Sequence, residues 1–151
     1  MTITIRPARG EDQETIISFL RQAKLNPRNL HWQHFLVAEQ DRKVVGIRQV
    51  KVYEDGTKEV ASGFVLPEYR HQGISAQLMK ALLARETVPL YTMVNKKRAP
   101  YYEQFGFRRV DMSQLSSDFR KEYRIGRIVT ALMYIFSKER IRIIPLKREP
   151  S

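Results

Sequence analysis

The sequence predicts a mixed α/β fold, in which a central, mostly antiparallel sheet of about six to seven strands is flanked by helices. Short apolar segments separated by turn residues recur between residues 2 and 66, which is typical of antiparallel strands. A strand, an amphipathic helix and another strand follow between residues 57 and 94, the order of a parallel crossover unit. The 151 residues are enough for one domain, and we expect a single domain over residues 1–151.

The first two elements are a strand and a helix. Thr2–Ile5 alternates polar and apolar residues and predicts a strand that ends near Pro7. Gly10-Glu11-Asp12 then predicts the start of a helix, because acidic side chains favour the positive end of the helix dipole. The apolar residues of this helix share one face at Ile16, Ile17, Phe19 and Leu20. Asn26-Pro27-Arg28-Asn29 ends the pattern.

Three strands are predicted next, as an antiparallel meander. They cover Phe35–Gln40, Val44–Tyr53 and Thr57–Leu66. Glu54-Asp55-Gly56 between the last two is a strong hairpin signal. Pro67 ends the meander.

The middle of the chain predicts alternating helices and strands. An apolar face over Gly73–Glu86 indicates a helix, and Pro89–Val94 is typical of a buried strand. A short helix over Ala99–Gln104 should end at Gly106 in a left-handed conformation. Phe107–Val110 predicts another strand.

The last third is expected to hold a basic C-terminal helix and an edge strand. Apolar residues between Phe119 and Phe136 follow a helical period. Ile141–Lys147 is interpreted as an edge strand, since Pro145 has no N–H to donate to a second neighbour. Residues 118–151 contain nine basic and four acidic side chains. The apolar face of Ile125–Phe136 has three alternative roles: it closes the core, covers a substrate pocket or joins two subunits of a homodimer.

Composition limits the function classes. The chain has no cysteine, which excludes disulfides and thiolate metal sites and fits a reducing cytoplasm. Residues 1–13 lack the basic-then-apolar pattern that is typical of a secretion signal, and the apolar stretch Ile128–Phe136 is about half the length of a bilayer span. The net charge of +11 suits anionic partners. Binding of nucleic acid or a membrane surface through Arg120–Arg148 is an alternative, although no aromatic-basic ladder or DNA-reading motif supports specific nucleic-acid binding.

The turn Arg70-His71-Gln72-Gly73-Ile74-Ser75 has features of an anion site. It lacks the three glycines of a dinucleotide fingerprint and the lysine of a nucleoside-triphosphate loop. It combines consecutive backbone N–H groups, a glycine and a helix start, which together suit a phosphate. The alternative is an ordinary strand-to-helix turn with a solvated arginine.

Two motifs resemble those of one enzyme family. Pro67-x-x-Arg70-x-x-Gly73-x-Ser75 resembles motif A of the GNAT superfamily of acyl-CoA-dependent N-acetyltransferases, usually Arg/Gln-x-x-Gly-x-Gly/Ala. Ser75 departs from that pattern at the last small position. Ala99–Val110 resembles motif B, with Tyr102, Gly106 and Phe107 at matching places. The order of elements over the first 110 residues is also similar.

The resemblance implies a binding site for acetyl-CoA. The coenzyme A pyrophosphate would be held by the loop that begins at Arg70, through the backbone amides of Gln72, Gly73, Ile74 and Ser75. Val65 would pair its backbone with the pantetheine arm, which enters between the strands Glu59–Leu66 and Pro89–Val94. Asn95 would lie near the cofactor; its alternative is a polar turn residue.

The resemblance also implies acetyl transfer to a primary amine by direct attack in a ternary complex. Glu59 would be the base, directly or through a water, unless it is a cross-strand partner in an exposed hairpin. Tyr102 would protonate the leaving thiolate, since a phenol is protonated at neutral pH; the alternative is a core tyrosine that is hydrogen-bonded to the coenzyme arm. Backbone N–H groups near Gly63–Val65 would stabilise the oxyanion.

Several features leave alternatives open. His31-x-x-His34 lacks a further ligand nearby, so we expect no metal; with Trp32 it borders the acceptor pocket in the family, or packs on the core. The acceptor could be a protein N-terminus, a lysine, a polyamine, an amino acid or an antibiotic. A non-catalytic acyl-CoA-binding module on the same fold is a further alternative.

Overall fold

A computed structural model describes residues 2–138 and 140–151 of the chain. The strands are β1 (Thr4–Pro7), β2 (Phe35–Gln40), β3 (Lys43–Val52), β4 (Lys58–Val65), β5 (Leu90–Asn95), β6 (Arg108–Arg109) and β7 (Ile143–Arg148). The helices are α1 (Gln13–Gln22), α2 (Ile74–Leu83), α3 (Ala99–Glu103) and α4 (Ser117–Ser137). The sheet order is β1-β2-β3-β4-β5-β7-β6. The predicted fold class, a mostly antiparallel sheet with flanking helices, is confirmed.

The chain divides into two compact units. The first contains the residues up to Lys51 together with Val60–Glu86. The second contains Val52–Glu59 and the residues from Thr87 onward. The first two residues of β4, Lys58 and Glu59, therefore belong to the second unit, and the rest of the strand belongs to the first. The single domain over residues 1–151 stays a prediction.

The first unit begins with antiparallel strands and α1. β1 pairs with β2, and β2 pairs with β3 with an irregularity between Ala38 and Glu39. The predicted helix start at Gly10–Asp12 is a 3₁₀ turn, and α1 begins after it. Asp12 links β1 to the turn before α1, because its carboxylate accepts hydrogen bonds from the Arg6 side chain at 2.8 Å and from the Arg9 N–H at 2.7 Å.

Helix α2 packs its predicted apolar face into the first unit. Ile74, Leu78 and Met79 are almost fully buried. The helix ends at Leu83, three residues before the predicted end at Glu86. The N–H groups of Arg85 and Glu86 bond to carbonyls three residues back, at 3.2 Å each, so the chain leaves the α-helix through a tightened last turn.

In the second unit, β5 pairs in parallel with the start of β4, which confirms the predicted crossover. β7 pairs with β5 along its whole length and with β6 on its other side, so the prediction that β7 is an edge strand is wrong. The edge strand on this side of the sheet is β6, which has two residues. Pro145 is compatible with an interior strand because its nitrogen and its carbonyl both face β6, and β6 pairs with only two residues of β7. Its carbonyl there accepts the Val110 N–H at 3.2 Å.

Helix α4 confirms the predicted C-terminal helix. Ser116 caps it by accepting the Phe119 N–H, and the buried Phe119 and Tyr123 form a cluster with Leu115. Its second half is different: Ile128 is 60% exposed and Phe136 is 87% exposed. The alternative in which this face closes the core is therefore wrong. Among the described residues, none of the helices combines the length and apolar composition that a membrane crossing requires.

Candidate functional site

The loop between β4 and α2 starts with Arg70 folded back on the end of β4. The Arg70 Nε donates a hydrogen bond to the Val65 carbonyl at 2.8 Å. Its guanidinium carbon lies 5.4 Å from the centre of the Phe64 ring, a cation–π contact. A carbonyl oxygen has two lone pairs, so this contact leaves Val65 able to accept a second hydrogen bond.

The loop backbone then turns through two left-handed residues. His71 has φ 63° and Gly73 has φ 79°. Gly73 is the N-cap of α2, and its carbonyl accepts the Gln77 N–H at 3.0 Å. A Cβ added to Gly73 would meet no heavy atom within 4 Å, so a ligand can approach this backbone closely. Gln72 and Gly73 are exposed, whereas the side chain of Ile74 is buried and only its backbone could serve a ligand.

Ser75, the departure from motif A, contacts an arginine from β3. Its Oγ accepts a hydrogen bond from Nη2 of Arg48 at 3.2 Å. Arg48 is 4% exposed, and its Nε has no hydrogen-bond partner. The guanidinium also covers Gly63, where an added Cβ would lie 2.6 Å from Arg48 Cζ. Only glycine at this position leaves room for Arg48 where it lies.

The segment of β4 before Gly63 departs from regular strand geometry. Ser62 has φ 57°, a left-handed conformation that non-glycine residues adopt rarely. Its Oγ accepts a hydrogen bond at 2.7 Å from Nε2 of the buried Gln49. This contact fixes the backbone next to Gly63–Val65, the segment predicted to provide the oxyanion donors.

Glu59 lies in the second unit and is buried, with 4% exposure. It pairs with Tyr91 on β5, and its Oε2 accepts a hydrogen bond from the Tyr53 hydroxyl at 3.1 Å. Burial, and then the charge of Glu59, raise the pKa of Tyr53 well above its ordinary value. Tyr53 therefore stays a donor to the carboxylate. The alternative of Glu59 in an exposed hairpin is wrong, because the side chain is buried.

Tyr102 lies on α3 in the same unit and is 7% exposed. Its ring makes edge-on contacts with Tyr101 and Phe107, at centroid distances of 5.4 and 5.9 Å. Tyr101 in turn contacts Phe105 edge-on. The aromatic cluster fixes the ring of Tyr102, and Gly106, with φ 92°, confirms the predicted left-handed end of this helix.

Asn95 is the last residue of β5 and acts as a turn residue. Its Oδ1 accepts the Lys97 N–H at 3.1 Å and caps the 3₁₀ turn Lys96–Arg98. The polar-turn alternative thus describes what Asn95 does in this structure. A contact between Asn95 and a coenzyme stays a prediction.

The histidine pair lies on a 3₁₀ turn in the first unit. The rings of His31 and His34 are 5.3 Å apart, and Trp32 packs beside Gly10. Within residues 2–138 and 140–151 there is no group of three or more His, Cys, Asp or Glu side chains that could hold a metal ion.

The start of α2 in the first unit offers donors that suit an anion. Gly73 leaves an open approach to the start of α2, where backbone N–H groups favour anions. Arg70 contributes a cation at the loop, and Arg48 reaches Ser75 with an unpartnered Nε. An anion would match this set of donors.

Sequence reasoning missed Arg48 and Tyr53. Arg48 is the charged residue within the otherwise apolar or uncharged segment Val44–Val50. A charge in a strand expected to be buried is a signal for a partner or a ligand. Tyr53 directly precedes the predicted turn at Glu54–Gly56, and Glu59 lies three residues after it. The hairpin brings the two residues near each other, but no pattern in the sequence pairs their side chains.

Solved structures share this fold. N-acetylglutamate synthase from Neisseria gonorrhoeae, complexed with coenzyme A and N-acetyl-glutamate, gives a TM-score of 0.77 at 19% identity, covering 100% of this chain and 36% of that chain. Rv2747 from Mycobacterium tuberculosis, in complex with CoA and NLQ, gives 0.70 at 17% identity, covering 98% and 99%. The ribosomal-protein-S18-alanine N-acetyltransferase from Escherichia coli gives 0.62 at 16% identity, covering 99% and 95%.

These identities are low, so the likeness establishes the fold. The chain spans 36% and 33% of the lengths of the two N-acetylglutamate synthase chains that head these matches. Comparison with curated protein sequences gave no match. The acetyltransferase (GNAT) domain family matches residues 31–109, which is more than half of the 151 residues and contains the first motif and the second as far as Arg109. The chain therefore belongs to the GNAT family of acetyltransferases.

Proposed function

We propose that the protein transfers an acetyl group from acetyl-CoA to a primary amine, by direct attack of the amine in a ternary complex. The observation that carries the proposal is the loop before α2, where Gly73 opens the helix N-terminus to a phosphate. Membership of an acetyltransferase family supports the same reaction. No cysteine is present, so the acetyl group cannot pass through a cysteine side chain.

The first unit would bind the coenzyme. Backbone N–H groups from Gln72 to Ser75 would hold the pyrophosphate, with Arg70 at the start of the loop. Val65 would bond to the pantetheine arm as an added strand does. Acetyl-CoA supplies a thioester carbonyl, which is reactive toward a neutral amine.

Glu59 would act as the base in this reaction. A protonated amine of pKa about 10.4 must lose a proton before it can attack. The carboxylate of Glu59 would accept that proton, directly or through a water molecule. Its orientation is fixed by the Tyr53 hydroxyl at 3.1 Å, which supports a positioned rather than a freely rotating carboxylate.

Tyr102 would donate a proton to the sulfur as the C–S bond breaks. Its burial and its edge-on ring contacts support a fixed position for the hydroxyl. Backbone N–H groups of Gly63–Val65 would stabilise the negative charge that develops on the carbonyl oxygen. Asn95 would lie near the coenzyme, with its side chain capping the turn after β5.

Coenzyme binding and turnover test the proposal separately. Saturating coenzyme A should raise the Tm of the protein in a thermal-shift assay, and an unchanged Tm would contradict the whole proposal. Release of coenzyme A from acetyl-CoA is then measured over amines that include amino acids, polyamines and peptide N-termini. Glu59→Gln and Tyr102→Phe should each lower turnover about 100-fold or more while coenzyme A still binds. Binding without turnover of any amine would instead support a non-catalytic acyl-CoA-binding module.

The location and oligomeric state belong to the same proposal. A cytoplasmic location suits a cysteine-free chain and a coenzyme of the cytoplasm. Self-association of two copies would cover the apolar residues of α4, of which Ile135 is 68% exposed and Phe136 is 87% exposed. Sedimentation velocity over a range of protein concentrations tests this.

A further inference from the structure

Arg48 is a buried cation that donates to a neutral side chain and keeps one nitrogen without a partner. It is 4% exposed, and the ion pairs Arg6–Asp12, Arg6–Glu39, Arg9–Glu11 and Lys147–Glu149 do not involve it. Its hydrogen bond goes to a neutral acceptor, Ser75 Oγ, and its Nε has no partner. Burying a charge without a counter-charge is costly, so such an arginine indicates an anionic ligand.

The position of Arg48 indicates which anion this is. The guanidinium lies between Gly63 of β4 and Ser75 in the first turn of α2. Ser75 is also the last residue of the motif Arg70–Ser75, whose backbone N–H groups already suit a phosphate. A phosphate held at this helix start would be close to the Arg48 donors, and the fork of a guanidinium matches phosphate oxygens.

We propose that Arg48 is a binding residue for the pyrophosphate of coenzyme A, oriented by Ser75 and given room by Gly63. The inference rests on the proposed function, because it assigns a residue to the same coenzyme. It also explains the serine at the last small position of motif A. A hydroxyl there accepts the hydrogen bond that directs the Arg48 side chain toward the loop, which glycine or alanine could not do.

The test compares Arg48→Gln with the control Arg85→Gln. The control removes the same charge at an exposed position just after the end of α2. Calorimetry with coenzyme A should show at least about tenfold weaker binding for Arg48→Gln and less than about twofold for Arg85→Gln. Pantetheine, which has the arm but no pyrophosphate, should bind wild type and Arg48→Gln equally in an NMR titration. Ser75→Ala should weaken coenzyme A binding less than Arg48→Gln, and the two changes should not be additive.

Folding is checked in the absence of ligand. Replacing a buried ion with an apolar side chain of similar length is often neutral or stabilising, so Arg48→Met should keep the wild-type Tm while losing affinity for coenzyme A. If Arg48→Met and Arg48→Gln fold and bind coenzyme A as tightly as wild type, the inference is overturned.

Two other results identify a different error. If Arg48→Gln binds coenzyme A as tightly as wild type but has a raised KM for carboxylate-bearing amines, Arg48 binds the acceptor rather than the pyrophosphate. If Arg48→Gln loses equal affinity for pantetheine and for coenzyme A, Arg48 binds the pantetheine arm. Either result overturns the inference. A wild-type protein that does not bind coenzyme A at all contradicts the proposed function itself.

Discussion

Replacing Gly73 with alanine separates the role of the loop in folding from its role in binding. Gly73 has φ 79° and caps α2, and the space where a Cβ would stand is empty to 4 Å. Gly56, in the turn between β3 and β4, has φ 86° and an equally empty surrounding. Gly56→Ala is therefore a matched control, because both substitutions add one methyl group to a left-handed residue without a steric clash.

The cost in stability follows from the backbone alone. A left-handed conformation costs an alanine about 1–2 kcal/mol. The more restricted unfolded chain returns about 0.4–1 kcal/mol of that. With no steric contribution, each variant should lose about 1 kcal/mol of unfolding free energy, or about 2–4 °C in Tm for a chain of this size.

The two variants should differ in coenzyme binding. The methyl group at Gly73 would occupy the space through which a phosphate approaches the N–H groups of α2, whereas the turn at Gly56 is not part of the proposed site. We expect the Kd for coenzyme A to rise about tenfold or more for Gly73→Ala, equivalent to about 1.4 kcal/mol, and to stay unchanged for Gly56→Ala. Calorimetry measures the affinity, and urea unfolding measures the stability of the same samples.

Either of two results would refute this reasoning. If Gly73→Ala binds coenzyme A as wild type does, the pyrophosphate does not lie against this backbone. If Gly56→Ala loses as much affinity as Gly73→Ala, the loss reflects general destabilisation and not the loop.

Three further predictions concern parts of the chain outside this loop. Asp12→Asn should destabilise the protein by about 2–4 kcal/mol at pH 7, because it leaves the Arg6 guanidinium short of a partner. Hydrogen bonding to Arg6 lowers the pKa of Asp12, so the stability that Asp12 contributes is present above about pH 4 and is lost as the pH falls through the lowered pKa of the folded protein. In urea unfolding, the difference in unfolding free energy between wild type and Asp12→Asn should therefore shrink as the pH falls below about 4. The pKa of Tyr53 is raised in the folded protein, so its neutral hydroxyl stabilises the fold below about pH 10. Above about pH 10, the unfolding free energy of wild type should fall by about 1.4 kcal/mol per pH unit because of Tyr53, and that of Tyr53→Phe should lack this contribution. Phe136→Ser should reduce self-association in sedimentation velocity without changing coenzyme A affinity, and an unchanged sedimentation profile would contradict an interface at this end of α4.

The sequence predicted the elements whose signals are local. An apolar segment that ends at a polar turn identified β2 at its observed bounds, and helical periodicity identified α4 to within a few residues. The position of β7 was predicted wrongly because the cue was a single residue, Pro145, read without its neighbours. A proline excludes one hydrogen bond on one side, and a two-residue partner such as β6 satisfies that limit inside a sheet as well as an edge does.

The same distinction applies to the candidate site. The loop Arg70–Ser75 could be found from the sequence, because its glycine, cation and helix start are contiguous. The contact of Arg48 with Ser75 joins residues 27 positions apart, and that of Gln49 with Ser62 joins residues 13 apart. Neither has a spacing that a sequence pattern specifies, so only the folded chain reveals them.

Arg48, Gly63 and Ser75 should therefore behave as one unit in mutagenesis. A Cβ at Gly63 would overlap the Arg48 guanidinium, and the flexible arginine, rather than the backbone, would move away. Gly63→Ala alone should then weaken coenzyme A binding about as much as Arg48→Ala does. In an Arg48→Ala background the overlap no longer exists, so adding Gly63→Ala should cost nothing more, and a double-mutant cycle by calorimetry measures this coupling. Additive losses would show that glycine is needed at position 63 for its own backbone, and that the space it leaves for Arg48 is incidental.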